Sequence, residues 1–121
     1  MTTTVAVLGL GAMGLPMATH LASTFTVSGF DIAAPRLELA RQAGITPAAS
    51  AAEAASGADV VLVAVRNQAQ LEELLFGESG IAASMKPGAL VLLTSTVGGE
   101  GVKAVAARLE QAGLGLVDAP V

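Results

Sequence analysis

Apolar residues in this chain come in six short runs, and the stretches between them carry helical or turn-forming patterns. The six runs are mostly rich in Val, Leu and Ile, and the strongest of them do not alternate with polar residues, which is typical of parallel strands buried on both faces. They predict strands at residues 4–8, 25–31, 45–47, 60–65, 89–94 and 114–118. The intervening stretches predict helices at residues 12–23, 35–43, 50–56, 68–76 and 100–111, several of them ended by a glycine.

The first predicted strand ends in a glycine-rich turn of the form G-x-G-x-x-G, and a helix begins inside that turn. Gly9 allows a tight turn, Gly11 leaves room for a pyrophosphate against the backbone, and Gly14 allows the helix to pack closely on the strand. The phosphates would bind free N–H groups at the positive end of the helix dipole. The turn therefore predicts a dinucleotide-binding site.

An acidic residue, Asp31, ends the second predicted strand, 22 residues after Gly9. A carboxylate at this place accepts hydrogen bonds from the adenosine ribose hydroxyls and repels a 2′-phosphate, so the sequence favours NAD over NADP. Arg36 keeps NADP binding as an alternative, since an arginine just past this strand can pair with a 2′-phosphate. The other interpretation of Arg36 is a solvated residue in the first turn of the helix. For the glycine turn and Asp31 together, the alternative is a structural turn followed by a helix-capping Asp.

Strands that alternate with helices predict an α/β fold, here a Rossmann-type doubly wound parallel sheet with strand order 3-2-1-4-5-6. The length predicts one dinucleotide-binding domain over residues 1–121. Ligands of such sheets bind beyond the carboxyl ends of the strands. After the fourth strand this edge would carry Val65, Arg66 and Asn67.

Composition and charge exclude several classes of function. Lys and Arg are few and scattered, and the formal net charge is −4, so no nucleic-acid partner is expected. With no cysteine and one histidine, the chain offers no disulfide framework and no Cys- or His-based metal site, and a reducing cytoplasm is the expected location. No signal peptide is predicted, and the longest apolar run is far too short to span a membrane.

Three motifs are distinctive: Gly-Leu-Gly-Ala-Met-Gly-Leu-Pro-Met-Ala at residues 9–18, Ser95-Thr96 after the fifth strand, and Asp-Ala-Pro-Val at residues 118–121. Together they resemble the N-terminal domain of the β-hydroxyacid dehydrogenases. That family includes 3-hydroxyisobutyrate dehydrogenase, tartronate semialdehyde reductase and the 6-phosphogluconate dehydrogenase-related enzymes. Residues 65–70 and 75–82 are most similar to the L-threonate dehydrogenase branch, and the resemblance covers the whole chain.

The resemblance implies cofactor contacts at specific positions. Leu10, Gly11, Ala12, Met13 and Gly14 would line the pyrophosphate turn, Asp31 would hold the adenosine ribose, Val65 and Arg66 would lie against the nicotinamide-side ribose, and Thr96 would contact the nicotinamide end. The sequence differs from the common family pattern at two places. The family commonly has Leu-Pro in place of Val65-Arg66, and a proline where this chain has Gly98-Gly99.

By the same resemblance, the parent enzyme would transfer hydride between NAD and a threonate- or 3-hydroxyisobutyrate-like 3-hydroxy acid. The family's substrate-carboxylate motif and its catalytic lysine, in an all-helical domain, lie beyond Val121, and Lys86 and Lys103 do not match that lysine. No catalytic residue is therefore assigned, and the chain is expected to bind cofactor without turnover.

The absence of the helical domain is expected to expose apolar surface near the sixth strand, which favours a homo-oligomer. A different class of function, a non-enzymatic nucleotide-binding or dimerisation module, is the main alternative. Binding of FAD or S-adenosylmethionine on a similar sheet is a third.

Overall fold

A computed structural model describes residues 3–11, 14–65, 67–78, 80–94 and 99–118 of the chain. The strands are β1 (Thr4–Leu8), β2 (Thr26–Phe30), β3 (Thr46–Pro47), β4 (Val60–Val63), β5 (Leu90–Leu93) and β6 (Gly115–Asp118). The helices are α1 (Gly14–Leu21), α2 (Ala34–Gln42), α3 (Ala51–Ser56), α4 (Gln68–Phe76) and α5 (Gly99–Gln111). Each predicted strand and helix is present, with ends that differ by a few residues. Within these ranges no helix has both the length and the apolar character that a bilayer crossing requires.

All strand pairs are parallel, and the order β3-β2-β1-β4-β5-β6 confirms the predicted doubly wound sheet. Strand β1 lies at the centre, where Val5 is paired with Val27 on one side and with Val60 on the other. Ala6 and Val7 are fully buried because both faces of the strand are covered. This double burial explains why the apolar runs do not alternate with polar residues.

Helices cover the two faces of the sheet unevenly. On one face α1 contacts β1 and β2, and α2 contacts β2 and β3. The opposite face packs on α3, α4 and α5 through a larger core that includes Leu71, Leu75, Val105 and Leu109. Leu90 and Val117, on β5 and β6, remain 41% and 44% exposed.

At the amino edge of the sheet, Asp59 joins the starts of three strands. Its Oδ2 accepts a hydrogen bond from the Thr4 N–H at 2.9 Å, its Oδ1 pairs with the Lys86 ammonium, and its carbonyl accepts from the Leu90 N–H at 3.0 Å. The bond from Lys86, and after it the bond from Thr4, hold the pKa of the Asp59 carboxyl below its ordinary value. The folded chain therefore favours the ionised carboxylate.

This pKa shift predicts a pH-dependent contribution to stability. Because the folded pKa is lowered, the contribution is present above the ordinary Asp pKa of about 3.9 and is lost as pH falls through the lowered value. Asp59→Asn is expected to lower Tm modestly at pH 7, since the pair is half-exposed. At about pH 2 the difference from the wild type should shrink. Thermal unfolding followed by circular dichroism measures both values, with Glu110→Gln, an exposed carboxylate on α5, as the control. An equal loss of Tm at both pH values would contradict the assignment.

Candidate functional site

The glycine turn lies at the carboxyl edge of the sheet, where β1, β2 and β4 end side by side. Gly9 has φ +100°, a conformation that favours glycine, and its N–H donates to the Phe30 carbonyl at 2.9 Å. A Cβ added to Gly14 would overlap the Gly9 carbonyl oxygen and stand 2.8 Å from the carbonyl carbon. Helix α1 therefore begins in direct backbone contact with the turn, as the predicted role of Gly14 requires.

The Asp31 carboxylate connects this turn to the end of β2. Its Oδ2 accepts a hydrogen bond from the Leu10 N–H at 2.8 Å, and its Oδ1 accepts one from the Ala33 N–H, also at 2.8 Å. Helix α2 has Ala33 at its N-cap with no side-chain cap, and Asp31 bonds the N–H of that residue, so the carboxylate also helps to fix the start of the helix. Each carboxylate oxygen retains a further lone pair that can accept a ribose hydroxyl.

A pocket of about 290 Å³ opens beside Asp31. Its lining is mostly apolar and consists of Leu8, Gly9, Phe30, Asp31, Ile32, Ala51, Ala64, Val65, Gln70 and Leu74. Ile32, directly after Asp31, is 96% exposed at the rim. Apolar walls around one carboxylate suit a flat, largely apolar ring that carries hydroxyl groups on an attached sugar.

The structure brings together the predicted residues Gly9, Leu10, Gly11, Gly14 and Asp31. Val65 lines the adjoining pocket, and its role at the nicotinamide-side ribose stays a prediction. The predicted contacts Ala12, Met13, Arg66 and Thr96 lie outside the described residues.

Sequence reasoning missed several walls of the pocket, namely Phe30, Ile32, Ala51, Gln70 and Leu74. Phe30 and Ile32 are the chain neighbours of Asp31, so the position of Asp31 could have been used to predict that they line the pocket. Ala51 and Leu74 come from α3 and α4, and neither the period nor the type of these residues distinguishes them from ordinary core positions. Among the described residues, no three His, Cys, Asp or Glu side chains come together as metal ligands would.

The chain is similar to the N-terminal part of several dehydrogenases. It is 43% identical to the L-threonate dehydrogenase of Cupriavidus necator over 122 residues, which is 100% of this chain and 41% of the relative. It is 36% identical to the NAD-dependent L-serine dehydrogenase of Pseudomonas aeruginosa, over 97% of this chain and 40% of the relative. The crystal structure of 3-hydroxyisobutyrate dehydrogenase from Salmonella typhimurium superposes with a TM-score of 0.91 at 34% identity, over 98% of this chain and 42% of that one.

The chain thus spans about two fifths of the length of these relatives. The family described as the NAD binding domain of 6-phosphogluconate dehydrogenase matches residues 4–121. This match includes the glycine turn, Asp31 and all six strands. The chain belongs to the family of NAD-binding domains of 6-phosphogluconate dehydrogenase.

Proposed function

We propose that the chain is the NAD-binding domain of an enzyme that transfers hydride between NAD and a threonate- or 3-hydroxyisobutyrate-like 3-hydroxy acid. The observation that carries the proposal is the bond from the Leu10 N–H to Asp31, which joins the glycine turn to the ribose carboxylate at one edge of the sheet. When bound, NAD supplies the nicotinamide carbon that accepts or gives the hydride. The protein supplies binding and orientation.

The residues present fit a dinucleotide. The α1 start, pressed against Gly9, would leave a glycine-lined surface for the pyrophosphate, and Asp31 would accept the adenosine ribose hydroxyls. The apolar pocket beyond Asp31 would take the adenine ring. NAD is favoured over NADP because the carboxylate would repel a 2′-phosphate.

The substrate class follows from the chemistry of the relatives. The relatives are named for threonate, serine and 3-hydroxyisobutyrate, three acids that share a carboxylate and a hydroxyl on the third carbon. Oxidation of such a hydroxyl requires a general base within hydrogen-bond reach of its proton. Among the described Lys and His residues, Lys86 is paired with Asp59 at the opposite edge of the sheet, His20 lies in the last turn of α1, and Lys103 is exposed on α5. We therefore propose that the chain binds NAD without turnover.

Titration calorimetry is the first test of this function. We expect saturable binding of NAD, weaker binding of NADP, and no rise in absorbance at 340 nm when NAD and L-threonate or 3-hydroxyisobutyrate are added together. A full-length relative from the same family serves as the positive control for turnover. Binding of neither cofactor would favour a non-enzymatic module, and cofactor-dependent oxidation by the chain alone would contradict the proposed lack of turnover.

Self-association is a further part of the proposal. Leu90 and Val117 stay about two fifths exposed on the face of β5 and β6 that α1 and α2 leave partly uncovered. Exposed apolar surface of this kind favours association, so we expect a dimer or larger species. Multi-angle light scattering should report at least twice the chain mass of 11.9 kDa, and Leu90→Lys should reduce that mass. A monomeric mass for the wild type would contradict the proposal. A cytoplasmic location, expected from the absence of cysteine, stays a prediction.

A further inference from the structure

Arg36, on α2, reaches back to the glycine turn across 26 positions of sequence. Its Nη1 donates a hydrogen bond to the Leu10 carbonyl oxygen at 3.3 Å, and the same nitrogen lies 3.6 Å from where a Cβ of Gly11 would stand. The Leu10 N–H, in turn, donates to Asp31 at 2.8 Å. Two side chains of the segment that follows β2 therefore hold both backbone polar groups of Leu10.

Leu10 has little freedom to move away from these bonds. Its side chain is fully buried in the core under α1 and α2, and its two Cδ atoms lie only 3.2 and 3.3 Å from where a Cβ of Gly29 would stand. The backbone at Leu10 is thus fixed by packing on the inside and by hydrogen bonds at the surface. The Leu10 carbonyl therefore already has a fixed direction in the folded chain before any ligand binds.

The N–H of the next residue, Gly11, is oriented together with the Leu10 carbonyl. The peptide bond between Leu10 and Gly11 is planar, and in the trans form its carbonyl and its N–H point in opposite directions. Within the described part of the chain, the Gly11 N–H has no hydrogen-bond partner. A bond that orients the Leu10 carbonyl therefore also orients the Gly11 N–H in the turn.

We propose that Arg36 is a positioning residue for the phosphate-binding turn, acting through the Leu10 carbonyl to direct the Gly11 N–H as a ready hydrogen-bond donor. The proposal rests on the proposed function, NAD binding. A donor that is already oriented strengthens binding because less freedom is lost when the ligand arrives. Arg36 suits this role because its planar guanidinium donates to the carbonyl while it lies against Gly11, where no side chain intervenes.

Three variants test the role by titration calorimetry with NAD. Arg36→Met removes the donor and keeps most of the side-chain length, and we expect NAD affinity to fall roughly three- to tenfold, the range that one lost hydrogen bond produces. Arg36→Lys retains a donor and should recover at least half of the loss. Arg41→Met is the matched control, since Arg41 lies on the same helix and pairs with Glu38 instead of the turn. Its affinity should equal that of the wild type.

The amide resonance of Gly11 in the unliganded chain, followed by NMR, supplies a second readout. It should shift in Arg36→Met, return toward its original position in Arg36→Lys, and stay in place in Arg41→Met. An unshifted Gly11 amide together with unchanged NAD affinity in Arg36→Met would overturn the proposal. So would a loss of affinity that disappears at about 0.5 M salt with the Gly11 amide unmoved, because that result assigns Arg36 to a direct charge contact with the cofactor.

The two proposals can fail separately. If the wild-type chain binds no NAD, the proposed function fails, while the Gly11 amide of the unliganded variants still decides whether Arg36 orients the turn. If the wild type binds NAD, and Arg36→Met binds it with the same affinity and an unshifted Gly11 amide, the proposed function stands and the positioning role is lost.

Discussion

Gly14→Ala is expected to abolish measurable NAD binding and to destabilise the chain by about 3 kcal/mol or more. The added Cβ would overlap the Gly9 carbonyl oxygen and stand 2.8 Å from its carbon. Both groups are backbone, so no rotamer change relieves the clash, and α1 must move away from the turn. That movement separates the start of the helix from Gly9 and disturbs the surface on which the phosphates would bind. Thermal unfolding and NAD calorimetry measure the two effects.

Gly57→Ala is the matched control for this variant. Gly57 has a φ of −104°, which alanine adopts freely, and a Cβ there would meet nothing within 4 Å. We expect a stability change within about 0.5 kcal/mol and unchanged NAD affinity. If Gly14→Ala behaved like Gly57→Ala, the direct contact between α1 and the turn would not be required for folding or for cofactor binding.

Asp31→Ala is expected to weaken NAD binding at least tenfold and to cost about 1–3 kcal/mol of stability. The substitution removes the proposed acceptor for the ribose hydroxyls and leaves the Leu10 and Ala33 N–H groups without their carboxylate partner. Asp31→Asn keeps an oxygen acceptor but removes the charge. Because that charge would repel a 2′-phosphate, the ratio of NADP to NAD affinity should rise in Asp31→Asn. Calorimetry with both cofactors on the two variants measures these changes.

Asp59→Ala provides the control for Asp31. Asp59 is also an aspartate whose carboxylate accepts a backbone N–H, from Thr4, but it lies at the amino edge of the sheet. Its loss should lower stability and leave NAD affinity unchanged. If Asp31→Ala bound NAD as tightly as the wild type, Asp31 would not be part of the proposed NAD site, whatever the effect on stability.

Much of the fold was predictable because its signals are local. Continuous apolar runs such as residues 60–65 indicate strands buried on both faces, and glycines such as Gly44 and Gly113 end the helices before them with positive φ. The spacing from Gly9 to Asp31 is likewise readable along the chain. The structure adds that Asp31 bonds directly to the Leu10 N–H, which spacing alone does not specify.

The site beyond the glycine turn depends on contacts between distant segments. The pocket wall at Ala51 exists because α3 packs under the end of β2, and Arg36 meets Leu10 only after α2 has folded back on the sheet. An alanine in a helix is ordinary, so nothing in the sequence marks Ala51. The position of Arg36 just past β2 indicated a possible 2′-phosphate contact and gave no sign of its bond to Leu10.

The sequence by itself determined the strands and helices, the parallel sheet, the glycine turn and the carboxylate that favours NAD, since hydrophobic period, glycine positions and short-range spacing encode these features. Only the tertiary structure decided which side chains surround the pocket beside Asp31 and how Asp31 and Arg36 hold Leu10. The physical reason is that such contacts form when segments more than 20 residues apart are packed together, and packing of the whole core, instead of any local preference, sets their geometry.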